Sequence, residues 1–249
     1  MIPSRPVPAV NERAAPGAAN QASERAPRYA LATGAGKDAT LALHRARASG
    51  LEVAAGLNLY DGTTGRVAFH GTRIELVRAH LEALGLDPLL VPTHPGQFEP
   101  AFLALLERLV ERGIEGVVFG NVHLADVRAW YEERTARAGL VHLEPLWGEP
   151  PSRLVREVVD LGYRVVVVSA DLERGRADWV GRELTRDLIE EVEAHGADPC
   201  GEHGEFHTFV FDGPELRRPL SVERGEVVEM EGHRLIDLIL APDEPGPIR

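Results

Sequence analysis

Apolar and polar positions along the first 150 residues switch repeatedly between a strand period and a helix period. The apolar run 29–33 is strand-sized and stops at Gly34-Ala35-Gly36-Lys37-Asp38. Residues 39–49 then place Leu41, Leu43 and Ala46 at helical positions and end at Gly50. Residues 53–60 predict a second strand, and 66–69 a short one that leads to His70. Thr72 stands where it could cap a helix over 73–83, with Ile74, Val77 and Leu81 on one face and Gly85 as its stop. A strand at 89–92 follows, then a helix over 101–112 with Phe102, Leu105, Leu106 and Leu109 inward and Gly113 at its end. A strand at 116–119, a helix over 124–138 and a strand over 140–146 complete the series. Strands that alternate with helices predict right-handed βαβ units and a parallel sheet.

Beyond Pro150-Pro151 the order changes. A helix over 152–161 leads into a buried strand at 163–169, whose centre is four consecutive valines. Arg182 and Glu183 open a helical turn, a helix spans 185–195, and 206–211, 226–230 and 235–240 are strand-like. The expected organisation is an α/β lobe over 28–148 and a smaller α+β lobe over 149–242. A disordered tail, rich in Pro, Ala, Arg and Glu, is expected over 1–27, and a Pro-rich tail over 243–249.

Composition narrows the function. The 249 residues carry a net charge of −12, which argues against a general nucleic-acid surface. No apolar run approaches the roughly 20 residues of a membrane span. The first 27 residues hold no apolar core of a signal peptide, and Glu12 and Glu24 weigh against a mitochondrial transit peptide. The one cysteine, Cys200, permits no disulfide within the chain and fits a reducing, cytoplasmic setting. It has no Lys or Arg beside it to lower its pKa, so it reads as a small buried residue.

Lysine and arginine total 27, yet Lys37 is the only lysine. It stands in the one place where a strand, a Gly-x-Gly-Lys turn and a helix follow each other. That arrangement cradles an anion, because glycines let backbone N–H groups approach oxygen atoms and the helix N-terminus adds partial positive charge. A compact ammonium suits a tight loop better than a planar guanidinium. Neither G-x-G-x-x-G nor G-x-x-x-x-G-K-[ST] fits, since Ala39 and Asp38 occupy the decisive positions. On local sequence alone, a glycine-rich turn with Asp38 favouring the helix start remains an equal reading. Downstream, His203 and His207 are four apart, but Gly201, Gly204 and the strand-like run after them argue against a helical zinc pair, and no third ligand is evident.

The stretch Gly34-Ala35-Gly36-Lys37-Asp38-Ala39 resembles the S-G-G-K-D-S loop of the ATP pyrophosphatase (PP-loop) superfamily. The resemblance continues through Phe69-His70-Gly71, Phe119-Gly120-Asn121, Pro145-Leu146-Trp147-Gly148, Gly181-Arg182-Glu183-Leu184 and Gly201-Glu202-His203-Gly204-Glu205-Phe206-His207-Thr208. Together these blocks resemble the diphthine–ammonia ligase family over about 28–240, and Asp198-Pro199-Cys200 is similar to its bacterial members.

That resemblance implies a Rossmann-like parallel sheet of about five strands in the first lobe. It implies ATP and Mg2+ as cofactors and ammonia as co-substrate. The acceptor carboxylate would be on a protein like elongation factor 2, or on a small molecule, one option being corrinoid-related; a homo-oligomer is compatible. The residues it places around the nucleotide are Thr33, Gly34, Ala35, Gly36, Lys37, Asp38, Ala39, Thr40, His70, Gly120 and Asn121, with Asp38 on the magnesium. It gives catalytic work to Lys37, Glu202, Glu205 and His207. Asp126, Arg128, Trp147, Arg182, Glu183 and Thr208 are its acceptor-side candidates, although Asp126 and Arg128 read equally as an exposed helix face, Trp147 as core, and Arg182 as an ion pair with Glu. Two departures stand out: Gly34 and Ala39 replace the loop serines, with Thr33 and Thr40 one position away, and Asn121 stands where relatives often carry Asp. A nucleotide-binding protein without turnover, or one that keeps only the fold, is the alternative.

Overall fold

The computed structural model describes residues 26–68, 70–230 and 232–241; the tails expected over 1–27 and 243–249 lie almost wholly outside that range, as does Phe69. The first half is β1 (Arg28–Ala32), α1 (Lys37–Ala48), β2 (Glu52–Asp61), α2 (Ile74–Ala83), β3 (Asp87–Thr93), α3 (Phe98–Glu111), β4 (Ile114–Val118), α4 (Ala125–Arg137) and β5 (Val141–Leu143). Its five strands are all parallel, in the order β3-β2-β1-β4-β5. The second half is α5 (Pro151–Asp160), β6 (Arg164–Asp171), a 3-10 turn (Ala177–Trp179), α6 (Arg186–His195), β7 (Phe206–Asp212), β8 (Val222–Met230) and β9 (His233–Leu240). These four strands form an antiparallel sheet in the order β7-β6-β9-β8. Among the described residues no helix is long and apolar enough to cross a membrane.

Local chemistry explains most element ends. Pro151 occupies the first turn of α5, where its missing N–H costs nothing. Thr185 caps α6 by accepting the N–H of Leu188, and Gly196 closes that helix at φ 86°. Three expectations fail here. Thr72 does not cap α2: the cap position is Arg73, without a side-chain bond, because the Thr72 carbonyl is already paired with the Val67 N–H in the preceding turn. Residues 66–68 form no strand; Arg66 makes isolated bridges to Asp61 and Arg73 before Gly71 turns the chain at φ 69°. Nor is 182–183 a helical turn. This segment pairs with β6: the Arg182 carbonyl accepts from Val167 and the Leu184 N–H donates to Val165. β6 is paired with β9 only over Ser169–Asp171, so its remaining buried backbone groups need this partner.

One apolar core serves both sheets. Leu41 and Leu43 of α1, Leu76 and Leu81 of α2, Leu154 and Val158 of α5, the four valines of β6, Trp179, Phe206 and Phe209 belong to a single buried cluster. The opposite face of the parallel sheet is covered by α3 and α4, with Leu57, Phe102, Leu105, Leu109, Val117 and Phe119 inside. α1 is thus wedged between the sheets, and its N-terminus meets residues from both halves.

Candidate nucleotide site

In the parallel sheet the strand order reverses beside β1, and a crevice opens at the carboxyl ends of strands at such a point. A cleft of about 410 Å³ lies there. Thr33, Gly34, Gly36, Asp38 and Ala39 line one part of it, with His70, Gly120, Asn121, Glu202 and His207. Leu57, Leu59, Phe98, Phe102, Phe119 and Tyr131 line the apolar remainder.

The loop is held by its own hydroxyls and by the second sheet. The Thr33 hydroxyl accepts the Ala35 N–H at 2.8 Å, and Thr40 donates to the Gly36 carbonyl at 2.9 Å. The Thr40 proton is therefore committed to loop backbone, whereas the Thr33 hydroxyl, acting as acceptor, keeps its proton for another partner. Ala35 adopts φ 65°, a left-handed conformation that costs an alanine about 1–2 kcal/mol. β7 compensates: Val210 N–H donates to the Ala35 carbonyl at 2.9 Å, and Thr208 Oγ1 accepts the Lys37 N–H at 3.2 Å. Gly36 permits this approach, since a Cβ there would sit 3.3 Å from the Thr208 carbonyl. Gly120 is more constrained, because its Cβ would fall 2.7 Å from the Ala39 nitrogen and 2.9 Å from its Cα. Those are backbone atoms at the start of α1 and cannot yield.

Lys37 does not reach into the cleft. Its ammonium is buried beneath the loop, donating to Asp38 Oδ2 at 2.9 Å and to the Cys200 carbonyl at 2.5 Å, and stands 5.0 Å from the Phe206 ring centroid. Burial opposes that charge, but Asp38, followed by weaker contributions from the Cys200 and Glu202 side, outweighs it and raises the pKa. Lys37 thereby orients Asp38, which does line the cleft. Cys200 is buried with its thiol pKa pushed up, first by burial, as a structural cysteine requires.

His70 and His207 stack at 4.2 Å between centroids on the cleft wall. Burial, with Lys37 nearby, lowers the His70 pKa to about 4. The His207 pKa is also lowered, by burial first and then by His70. Both rings are neutral near pH 7, and the buried His70 Nδ1 has no hydrogen-bond partner. Glu202 faces the cleft while its Oε2 accepts the Val122 N–H at 3.1 Å. Burial, reinforced by Asp38, raises its pKa to about 7. Asp38 offers carboxylate oxygens of the kind that suit a magnesium ion carried by a nucleotide.

Other expected residues lie elsewhere. Glu205 is buried under its own loop, where Oε1 accepts the Asp198 N–H and Oε2 the His203 N–H, each at 3.0 Å. Arg182 pairs with Glu191 and Glu183 with Arg164 at the surface, and neither lines the cleft. Asn121, Arg128 and Trp147 are brought together by Glu144, a buried carboxylate that sequence reasoning missed. Asn121 Nδ2 donates to its Oε1 at 2.8 Å, Arg128 Nε lies 3.4 Å from Oε2, and the guanidinium sits 4.5 Å from the Trp147 ring centroid. Asp126 lines a neighbouring cavity of about 560 Å³ that shares Phe98 and Tyr131 with the cleft. Asn58 was also missed; its amide donates to the Thr33 carbonyl at 2.9 Å, and its buried Oδ1 has no partner.

Fold and cleft together define an α/β protein with a Rossmann-like parallel sheet and a cleft at its switch point. Family models then place it more closely: the diphthamide synthase N-terminal domain matches residues 28–142 and the diphthamide synthase C-terminal domain matches 150–238. The chain belongs to the diphthamide synthase family. Human diphthine–ammonia ligase is 28% identical over 161 residues, covering 62% of this chain and 60% of the human protein. The zebrafish (Danio rerio) ligase is 26% identical over 147 residues, covering 57% of this chain and 58% of that one. The matches thus span less than two thirds of these relatives' lengths. A solved structure, the U34-tRNA thiolase of Methanococcus maripaludis, is 12% identical with a TM-score of 0.35, covering 72% of this chain and 70% of that one.

Proposed function

We propose that the chain is an ATP-dependent ligase that adenylates a carboxylate and amidates it with ammonia, releasing AMP and pyrophosphate. The observation that carries this reading is a two-ended cleft: a helix N-terminus with two carboxylates at one end and aromatic walls at the other. Phosphates would lie over residues 34–39, where backbone N–H groups and the α1 terminus attract anions. The apolar end, with Phe98, Phe119 and Tyr131, suits the adenine ring, and Asn58 Oδ1 is an acceptor for its amino group. Mg2+ held by Asp38 would offset phosphate charge, leaving the Glu202 carboxylate free.

A carboxylate is a poor acylating agent, and adenylation gives it a good leaving group. The acceptor carboxylate attacks the α-phosphorus, pyrophosphate leaves, and ammonia then displaces AMP from the acyl carbon. Glu202, with a pKa of about 7, is suited to take the proton that the attacking nitrogen must lose. His207 and His70, both neutral, can bond phosphate or acceptor oxygens without adding charge. Lys37, Thr208 and Glu205 act as positioning residues from beneath the loops. Arg128 on Trp147 offers the acceptor a cation, while Arg182 and Glu183 have no role in it. Diphthine on an elongation factor 2-like protein and a small carboxylate are the acceptors to compare.

One observation favours nucleotide binding without turnover: Gly34 and Ala39 carry no hydroxyl, and the Thr40 proton is already donated to the Gly36 carbonyl. The test is to incubate the protein with ATP, Mg2+, ammonium and each acceptor, and to measure AMP, pyrophosphate and amide. Equal amounts of all three support the ligase. ATP binding with no AMP from any acceptor supports the second reading, and no binding at all removes both.

A further inference from the structure

The loop that carries Glu202 also brings together three ligand-type side chains that the nucleotide chemistry does not use. His123 follows β4, whereas Asp198 and His203 stand on the loop between α6 and β7. One ligand atom from each lies within 4.8 Å of the others. His123 Nε2 is 2.6 Å from Asp198 Oδ2, and the His123 and His203 ring centroids are 5.3 Å apart. We propose that these residues form a site for a divalent transition-metal ion of the zinc class, which ties the second lobe's loop to the segment that follows β4 of the parallel sheet.

The donor set defines the metal class. Two imidazoles and a carboxylate suit zinc, cobalt, iron(II) or nickel, and poorly suit magnesium or calcium, which prefer oxygen donors only. Three protein ligands leave a fourth position for water or another group. The surroundings are built to hold the ligands still. Glu205 accepts the backbone N–H of both Asp198 and His203, one with each carboxylate oxygen. Asp198 Oδ1 is occupied by the Cys200 N–H at 2.7 Å, which leaves Oδ2 as the oxygen directed at His123. Positive φ at Gly201 (70°) and Gly204 (86°) allows the two tight turns that fold His203 back over Asp198. This gives buried Glu205 a purpose it lacks in the cleft. The helical-spacing pair His203 and His207 is separated instead: His207 stacks on His70, and His203 pairs with groups 80 or fewer residues upstream. The site adjoins the cleft, since the Val122 N–H that holds Glu202 precedes His123 and His203 follows Glu202, so metal binding is measured without nucleotide.

The test uses untagged, metal-free full-length chain without nucleotide, titrated with Co2+ and followed by visible absorption. The expected result is one Co2+ per chain, a visible d–d band, and its loss when one equivalent of Zn2+ is added. Glu205→Gln should weaken binding by roughly 10–100-fold, the usual cost of losing a partner behind a ligand, and Asp198→Asn and His203→Ala by more. His203 is exposed, so its variant keeps the fold, and His207→Ala should bind Co2+ like wild type. No stoichiometric binding by folded wild type overturns the proposal, as does binding that survives His203→Ala unchanged.

Discussion

The hydroxyl oxygen of Thr208 accepts the backbone N–H of Lys37 at 3.2 Å across 171 residues of sequence. It joins β7 of the antiparallel sheet to the first turn of α1, the turn that an anion would face. With the Val210 to Ala35 bond beside it, the second half of the chain becomes part of the loop's scaffold. The geometry of the nucleotide site is thus a property of both sheets.

Removing that acceptor should be felt in stability first. Thr208→Val keeps the shape and leaves the buried Lys37 N–H unpaired, at a cost of about 1–3 kcal/mol. Thr208→Ser should recover most of it. Urea denaturation of the two variants checks this, and a Val variant as stable as wild type would refute the stitching role.

Glu202 sets a pH dependence of defined sign. Its pKa is raised to about 7 in the folded chain from the ordinary 4.5, chiefly by burial. Its contribution is therefore fully favourable below about pH 4.5 and is lost as pH rises through about 7. Glu202→Gln lacks that titration, so it should gain on wild type by on the order of 3 kcal/mol across this window. Denaturation midpoints measured from acid to neutral pH read the difference; parallel curves would contradict it.

His80 behaves oppositely. It is fully buried against Phe209, neither ring nitrogen has a hydrogen-bond partner, and burial lowers its pKa to about 3. The neutral ring supports the fold above its ordinary pKa near 6.5, and that support fades as pH falls toward 3. His80→Leu removes both the unpaired nitrogens and the titration. It should add about 1–3 kcal/mol at neutral pH and flatten the acid limb of the stability curve. A destabilised variant with an unchanged acid limb would count against this.

The sequence shows the framework because framework is local. Helix and strand periods, glycine stops and the strand–loop–helix order all lie within windows of a few residues, and the five parallel strands follow from them. Residues 182–183 form no helical turn because their structure answers a need of β6, namely unpaired backbone, that no local window displays. The cleft was half legible. Gly34, Asp38, His70, Gly120, Asn121, Glu202 and His207 stand in recognisable blocks and do line it. Which way a side chain points was not legible: Lys37 and Glu205 carry charges that suggest contact with substrate, yet both are turned inward. Asn58 in β2, Tyr131 in α4 and Glu144 just after β5 are isolated in otherwise ordinary sequence, and only the packing of distant elements gives them a role. His123 and Asp198 meet across 75 residues for the same reason.

The most direct test of the central claim is calorimetric titration of the folded chain with MgATP, beside Gly120→Ala. The wild type should bind one nucleotide, with a Kd inside the roughly 1 µM–1 mM span in which enzymes hold their substrates. The alanine, whose Cβ collides with the α1 backbone, should bind at least about tenfold more weakly while still folded, a loss of ~1.4 kcal/mol. Folded wild-type protein that gives no heat with millimolar MgATP would contradict the account.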